Sequence, residues 1–103
     1  MPNNTLTLTK PDDWHCHLRD GAYLARTVTD TAKQFARAII MPNLNPPVTT
    51  VEQARQYSER IKAHLPQPNK FEPLMTLYLT DTMTPEVITS AKQSGIIHAC
   101  KLY

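Results

Sequence analysis

The chain has 103 residues, of which 41% are hydrophobic and 19% are charged, the composition of one small globular domain. A net charge of +2 without a lysine- or arginine-rich run gives no reason to expect nucleic-acid binding. No apolar segment approaches the roughly 20 residues that span a bilayer, and the first residues lack the pattern of a secretory signal. Two cysteines are too few for a disulfide framework. We therefore expect a cytoplasmic protein that does not bind membranes.

The first part of the chain predicts strands on either side of a helix. Residues 5–9 alternate polar and apolar side chains, which fits a short edge strand, and residues 14–18 predict a second strand. A helix is expected to open at Gly21. The apolar residues that follow recur at spacings of four, four and three, which is one helix face: Leu24, Val28, Ala32 and Phe35. Residues 37–41 form an apolar run that is typical of a strand buried on both faces.

A proline-rich loop over residues 43–48 separates this part from the next predicted helix. Thr49 and Glu52 have the spacing of a capping box, in which the two side chains bond to each other's backbone N–H groups. We therefore expect a helix to begin there.

The last part of the chain repeats the alternation of strand and helix. Residues 73–80 and 97–102 predict two further strands. Between them, Thr84 and Pro85 have the positions of a helix cap and a first helical residue, and Gly95 follows the expected helix end.

This order of elements predicts an α/β fold with a parallel sheet and right-handed crossovers. About four strands and three helices make up roughly half of a (β/α)8 TIM-type barrel. A doubly wound, flavodoxin-like sheet is the alternative. It normally carries a glycine-rich phosphate loop after its first strand, and Gly21 and Gly95 are too few to form one.

His15 and His17 are the first candidate site residues. Side chains alternate along a strand, so the two imidazoles are expected on one face and Cys16 on the other, as a packed thiol. Two neutral imidazoles suit a divalent metal such as zinc. The alternative is a pair of hydrogen-bonded strand histidines without a metal, because His-x-His occurs often by chance.

Further polar residues follow the other predicted strands, where functional groups of a parallel barrel gather. Arg19 is either a surface arginine or a bidentate partner for a substrate carboxylate. Asn43 either satisfies a turn or gives directed hydrogen bonds to a ligand. Asp81 is assigned to a turn and to no catalytic role.

Lys101 ends an otherwise apolar strand, and a lysine buried there loses its charge readily. The neutral amine can add to carbon dioxide, which gives an anionic carbamate able to bridge two metals. The alternative is a lysine that extends its ammonium group to the mouth of the barrel, and the residues alone favour it.

Four segments together resemble the amidohydrolase superfamily, and within it the dihydroorotase family. They are PDDWHCHLRDG at 11–21, AIIMPNLNPPVTT at 38–50, LMTLYLTD at 74–81 and KLY at 101–103. Their order and spacing are most similar to the compact, homodimeric bacterial-type branch.

The resemblance implies a β/α barrel with two zinc ions per full-length subunit. In it, His15 and His17 bind the first zinc, and Lys101, carboxylated by carbon dioxide, bridges both. Arg19 and Asn43 hold the substrate carboxylate, and His17 and Leu18 line the same pocket. The implied reaction interconverts L-dihydroorotate and N-carbamoyl-L-aspartate in pyrimidine (UMP) biosynthesis, with a homodimer as the expected assembly.

Members of the family are several times longer, and their remaining zinc ligands and general base come from later strands. Residues 1–103 are therefore expected to form the N-terminal part of a single metal-dependent hydrolase barrel, with no catalytic base of their own and no activity alone. Hydantoinases and allantoinases share the histidine pair and the lysine, but Arg19 and Asn43 favour an acidic substrate. A non-catalytic metal-binding or association fragment is the third reading.

Overall fold

The computed structural model describes residues 5–66 and 69–102. The first four residues and Tyr103, on which the secretory-signal prediction and the last similar segment partly depend, lie outside this part. The described residues form four strands and three α-helices, with a 3-10 turn at Gly21–Tyr23 before the first helix. In chain order they are β1 (Asp12–Cys16), α1 (Leu24–Gln34), β2 (Arg37–Ile40), α2 (Val51–Ala63), β3 (Glu72–Tyr78), α3 (Pro85–Ser94) and β4 (Ile97–Lys101).

The sheet is parallel and its strand order is the order of the chain, β1-β2-β3-β4. In a flavodoxin-like sheet the first strand lies between the second and the third, so the sequential order excludes that alternative. Each strand is joined to its neighbour by a helical crossover, as in a β/α barrel. The predicted α/β class, with four strands and three helices, is confirmed.

Two predictions about the N-terminal region are wrong. Residues 5–9 form no strand, and Leu6 and Leu8 are 78% and 75% exposed, so their alternation reflects no buried face. The first strand is Asp12–Cys16 and not residues 14–18, because the sheet ladder already begins where Asp12 pairs with Arg37.

The predicted capping box of α2 is displaced by one residue. The Thr50 hydroxyl accepts a hydrogen bond from the Gln53 N–H at 3.2 Å, and the Gln53 side-chain oxygen accepts from the Thr50 N–H at 3.2 Å. The predicted pair, Thr49 and Glu52, is wrong because the first helical residue is Val51, which makes Thr50 the cap.

The predicted bounds of α3 are confirmed by its two ends. Thr84 is the N-cap residue by position, although its side chain makes no capping hydrogen bond, and Pro85 is the first helical residue. Gly95 ends the helix with a φ of 74°, a left-handed conformation that glycine adopts without a steric penalty.

The hydrophobic core lies between the sheet and the helices, and α1 and α2 contribute more buried residues to it than α3 does. The buried helical residues are Leu24, Val28 and Ala32 of α1, Ala54, Tyr57, Ser58 and Ile61 of α2, and Ala91 of α3. The core therefore fixes α1 and α2 against the strands that carry the candidate site. No helix formed by the described residues is long and apolar enough to cross a membrane.

Candidate active site

The histidine pair meets at the carboxyl end of β1. The Nε2 atoms of His15 and His17 are 3.0 Å apart and the ring centroids are 4.9 Å apart. Cys16 between them is 6% exposed and belongs to the core, where burial raises the pKa of its thiol. The two imidazoles thus share a side that Cys16 does not face, as the strand alternation predicts.

The spacing of the two imidazole nitrogens fits a zinc ion as well as a hydrogen bond. Ligand nitrogens about 2.0–2.1 Å from a tetrahedral zinc are roughly 3.3 Å from each other. Burial lowers the pKa of His17, and the positive charges of Lys101, Arg19 and His15 lower it further, so its ring favours the neutral form that binds metals. Within residues 5–66 and 69–102, no three or more His, Cys, Asp or Glu side chains come together as a metal-binding group.

Lys101 and Asn43 meet although they lie on different segments. The Lys101 Nζ donates a hydrogen bond to Asn43 Oδ1 at 2.7 Å, and both residues are half-buried. Lys101 ends β4 and Asn43 follows β2, so the parallel sheet brings both to its carboxyl edge. The amine is thus close enough for its charge to act on the neighbouring His17 ring.

Arg19 and Asn43 line one open cavity of about 620 Å³. Its other lining residues are Asp20, Tyr23, Leu44 and Asn45. A guanidinium and an amide on the wall of one cavity provide N–H groups that can donate hydrogen bonds to a carboxylate. The Leu18 side chain does not line this cavity, because it is 1% exposed and packs in the core.

The sequence analysis missed two residues of α2 that contact the loop after β1. The Tyr57 hydroxyl donates a hydrogen bond to the Arg19 carbonyl oxygen, and the Arg60 guanidinium binds the Asp20 carboxylate. A signal for Tyr57 exists, since it lies three residues after buried Ala54 and therefore on the inner face of the helix. Its partner, 38 residues away, carries no local signal.

Comparison with known proteins gives close relatives at the sequence level, although no protein-family model matches the chain. Over 98 residues it is 66% identical to a dihydroorotase of Coxiella burnetii, covering 95% of this chain and 28% of the relative. Over 100 residues it is 67% identical to a dihydroorotase of Ralstonia pickettii, covering 97% and 29%. The chain thus spans less than a third of the length of the curated relatives it matches.

Two solved structures share the fold. The dihydroorotase of Campylobacter jejuni superimposes with a TM-score of 0.88 at 36% identity, covering 100% of this chain and 29% of that one. The dihydroorotase of Saccharomyces cerevisiae, solved in complex with 5-fluoroorotic acid, superimposes with a TM-score of 0.80 at 33% identity, covering 90% and 25%. The four strands and three helices therefore match part of that fold.

Proposed function

Because the chain is a homologue of dihydroorotase that corresponds to part of its length, we propose that it supplies part of the active site of a zinc-dependent cyclic-amide hydrolase. The reaction is the interconversion of L-dihydroorotate and N-carbamoyl-L-aspartate, a step of pyrimidine biosynthesis. The observation that carries the proposal is the arrangement at the carboxyl edge of the sheet. There, the Nε2 atoms of His15 and His17 are 3.0 Å apart, the charges of Lys101 and Arg19 act on the His17 ring, and Arg19 and Asn43 line one cavity.

The metal-binding part of the proposal assigns three residues. His15 and His17 would hold one zinc ion through their Nε2 atoms, which already converge. Lys101 would bridge two zinc ions after carboxylation. Its neutral amine adds to the carbon of CO2 and loses one proton, and the product is an anionic carbamate with two oxygen atoms. When bound, a zinc pair lowers the pKa of a water molecule and polarises the substrate carbonyl.

The substrate-binding part of the proposal rests on charge. Arg19 and Asn43 would bind the carboxylate of L-dihydroorotate, with a guanidinium that stays charged at all relevant pH values and an amide that donates a directed hydrogen bond. His17, and Leu18 through its backbone, would border the same pocket. Hydantoin and allantoin have no carboxylate for this pair to bind, which favours dihydroorotate over them.

In hydrolysis, the oxygen of water bonds to the ring carbonyl carbon, the ring C–N bond breaks, and a proton taken from the water is passed to the departing nitrogen. We assign that proton transfer to a general base outside this chain, so the 103 residues alone are expected to be inactive. A homodimeric assembly and a cytoplasmic location belong to the same proposal, and both are supported by the resemblance to the compact bacterial-type branch.

The proposal is tested with a chimera in which this chain replaces the matching 98-residue segment of the Coxiella burnetii dihydroorotase. We expect the chimera to bind two zinc ions, to hydrolyse L-dihydroorotate and to restore growth of a dihydroorotase-deficient bacterium without added pyrimidine. The unmodified relative is the positive control, and the 103-residue chain is the negative control. A folded, zinc-loaded chimera that hydrolyses hydantoin or allantoin but not L-dihydroorotate would overturn the proposal.

A further inference from the structure

Arg19 has a backbone conformation that its own sequence does not favour. Its φ of 64° lies in the left-handed region, and Arg19 is the one residue other than glycine with a positive φ among residues 5–66 and 69–102. For a residue with a Cβ atom this region is unfavourable, and it persists where surrounding contacts hold it. Something in the fold must therefore fix the Arg19 backbone.

Tyr57 makes one of those contacts. It is 1% exposed, and its hydroxyl donates a hydrogen bond to the Arg19 carbonyl oxygen. Burial raises the pKa of Tyr57 above its usual range, so the hydroxyl keeps its proton at physiological pH. The buried phenol is thus a permanent donor to the strained residue.

Arg60 makes the second contact, one helical turn after Tyr57. Its Nε and Nη2 atoms donate to the two carboxylate oxygens of Asp20 at 3.1 and 2.9 Å, a bidentate geometry. The guanidinium carbon lies 5.3 Å from the centre of the Tyr57 ring. The two α2 side chains therefore support each other while they hold two successive residues of one loop.

Both contacts leave the Arg19 side chain available. Tyr57 binds the Arg19 carbonyl oxygen, and Arg60 binds the neighbouring Asp20, so neither occupies the Arg19 guanidinium. Arg19 is exposed and lines the cavity of about 620 Å³. The α2 contacts thus fix the backbone from which a cavity-lining cation extends.

We infer that Tyr57 and Arg60 are positioning residues, which hold the loop after β1 so that the Arg19 guanidinium is preorganised to bind the substrate carboxylate. The inference rests on the proposed function, because it assigns the carboxylate to Arg19. Preorganisation reduces the entropy that an ordered cation loses on binding, so its loss raises KM more than it lowers kcat.

The test is a double-mutant cycle in the chimera, with steady-state kinetics on L-dihydroorotate. Tyr57→Phe removes the hydroxyl and keeps the ring. We expect it to raise KM about fivefold and to change kcat by less than about twofold, the effect of one lost hydrogen bond. In an Arg19→Ala background the same substitution should leave KM unchanged, because the cation it positions is absent.

A matched control removes a hydroxyl–carbonyl hydrogen bond between two residues that do not line the cavity. Thr29 on α1 is half-buried, and its hydroxyl donates to the Ala25 carbonyl oxygen at 2.7 Å, so Thr29→Val should leave KM and kcat unchanged. Arg60→Ala repeats the cycle from the second contact if Tyr57→Phe fails to fold. Arg60→Lys should rescue it only in part, since an ammonium group cannot bind Asp20 in a bidentate manner.

An unchanged KM in Tyr57→Phe, or an equal increase with and without Arg19, would overturn the inference. Such a result is distinguishable from failure of the proposed function, in which the chimera with no substitution does not turn over L-dihydroorotate at all. Thermal unfolding of every variant is measured in parallel, because a purely structural role would lower the Tm without this dependence on Arg19.

Discussion

The loop after β1 and the end of β4 both carry polar groups to the carboxyl edge of the sheet, but they are held in different ways. In the loop, α2 side chains bind two successive residues: Tyr57 binds the Arg19 carbonyl oxygen and Arg60 binds the Asp20 carboxylate. β4 has no buried residue among its five, and at its end the Lys101 amine donates to the Asn43 side chain.

The difference teaches that one half of the proposed site is shaped by packing and the other by side-chain chemistry. A carboxylate-binding arginine needs a fixed direction, which a core helix provides. A lysine that reacts with carbon dioxide needs an amine that can lose its charge and exchange its hydrogen-bond partner. Substitutions in the first half should therefore change substrate affinity, and those in the second should change metal content.

The largest expected effect is at the β4 end. In the chimera, Lys101→Ala removes the proposed bridge between two zinc ions. We expect kcat to fall by more than about 100-fold, beyond the 10- to 100-fold loss typical of residues that only support a metal ligand. Metal analysis should show fewer than two zinc ions per subunit. Lys92→Ala, an exposed lysine of α3, is the control. Near-normal turnover with two bound zinc ions would contradict the bridging role.

The next effect is in the loop after β1. Arg19→Ala and Arg19→Gly both remove the guanidinium, and each should raise KM for L-dihydroorotate about 10- to 100-fold, the range for hydrogen bonds to a charged group. The two variants should differ in stability. Because the backbone φ at this position is 64°, the glycine variant should be more stable by about 1 kcal/mol in urea unfolding. A less stable glycine variant would show that this conformation is not strained.

The reaction rates of the two cysteines compare how well the same two regions are packed. Cys16 ends β1 and is buried, which raises its pKa, whereas Cys100 of β4 is exposed. Because the thiolate is the reactive form, Cys100 in the 103-residue chain should react with a maleimide at least about tenfold faster than Cys16 at neutral pH. Peptide mass spectrometry follows both sites, and both should react at equal rates in urea. Equal rates without urea would show that β1 is no better packed than β4.

The smallest expected effect is on stability, and it lies at the amino ends of β1 and β2, so that it leaves both regions intact. Arg37 donates to the Asp12 carboxylate at 2.6 Å, and this hydrogen bond lowers the pKa of Asp12 below its ordinary value. The pair therefore stabilises the fold fully at pH values above the ordinary pKa of an aspartate, and the stabilisation is lost as pH falls through the lowered pKa.

Asp12→Asn should accordingly lower the Tm of the chimera slightly at pH 7, by less at pH 3, and leave KM and kcat unchanged. Asp30→Asn removes a carboxylate from the exposed Arg26 pair on α1, whose N···O distance is 3.6 Å, and it serves as the control. A Tm difference that is constant between pH 7 and pH 3 would contradict the role given to the Arg37 hydrogen bond.

The alternation of strands and helices could be predicted from the sequence because it depends on the local spacing of apolar residues. Apolar runs and helical spacing located all four strands and three helices, and Pro85 and Gly95 located the bounds of α3. Boundaries without such a signal were less predictable. The start of β1 depends on where Asp12 pairs with Arg37 in the neighbouring strand. The α2 cap is Thr50 and not Thr49, and the sequence could not decide between these adjacent threonines because each is followed three residues later by Glu or Gln.

The contacts that organise the site were not predictable in the same way. The hydrogen bond from Tyr57 to Arg19 joins residues 38 positions apart, and the one from Lys101 to Asn43 joins residues 58 positions apart. Both depend on how far each helix or strand is displaced along the sheet, which periodicity does not encode. The sequence pattern therefore indicated the candidate residues but not the helix that holds them.

The sequential strand order has a consequence for how the chain acquires its structure. Every strand pair is formed by neighbours along the chain with one helix between them. Each pairing closes a loop that contains one helix, which costs less conformational entropy than joining strands from opposite ends of the sheet would cost. Strands can thus be added to the sheet one at a time, in the order in which they leave the ribosome.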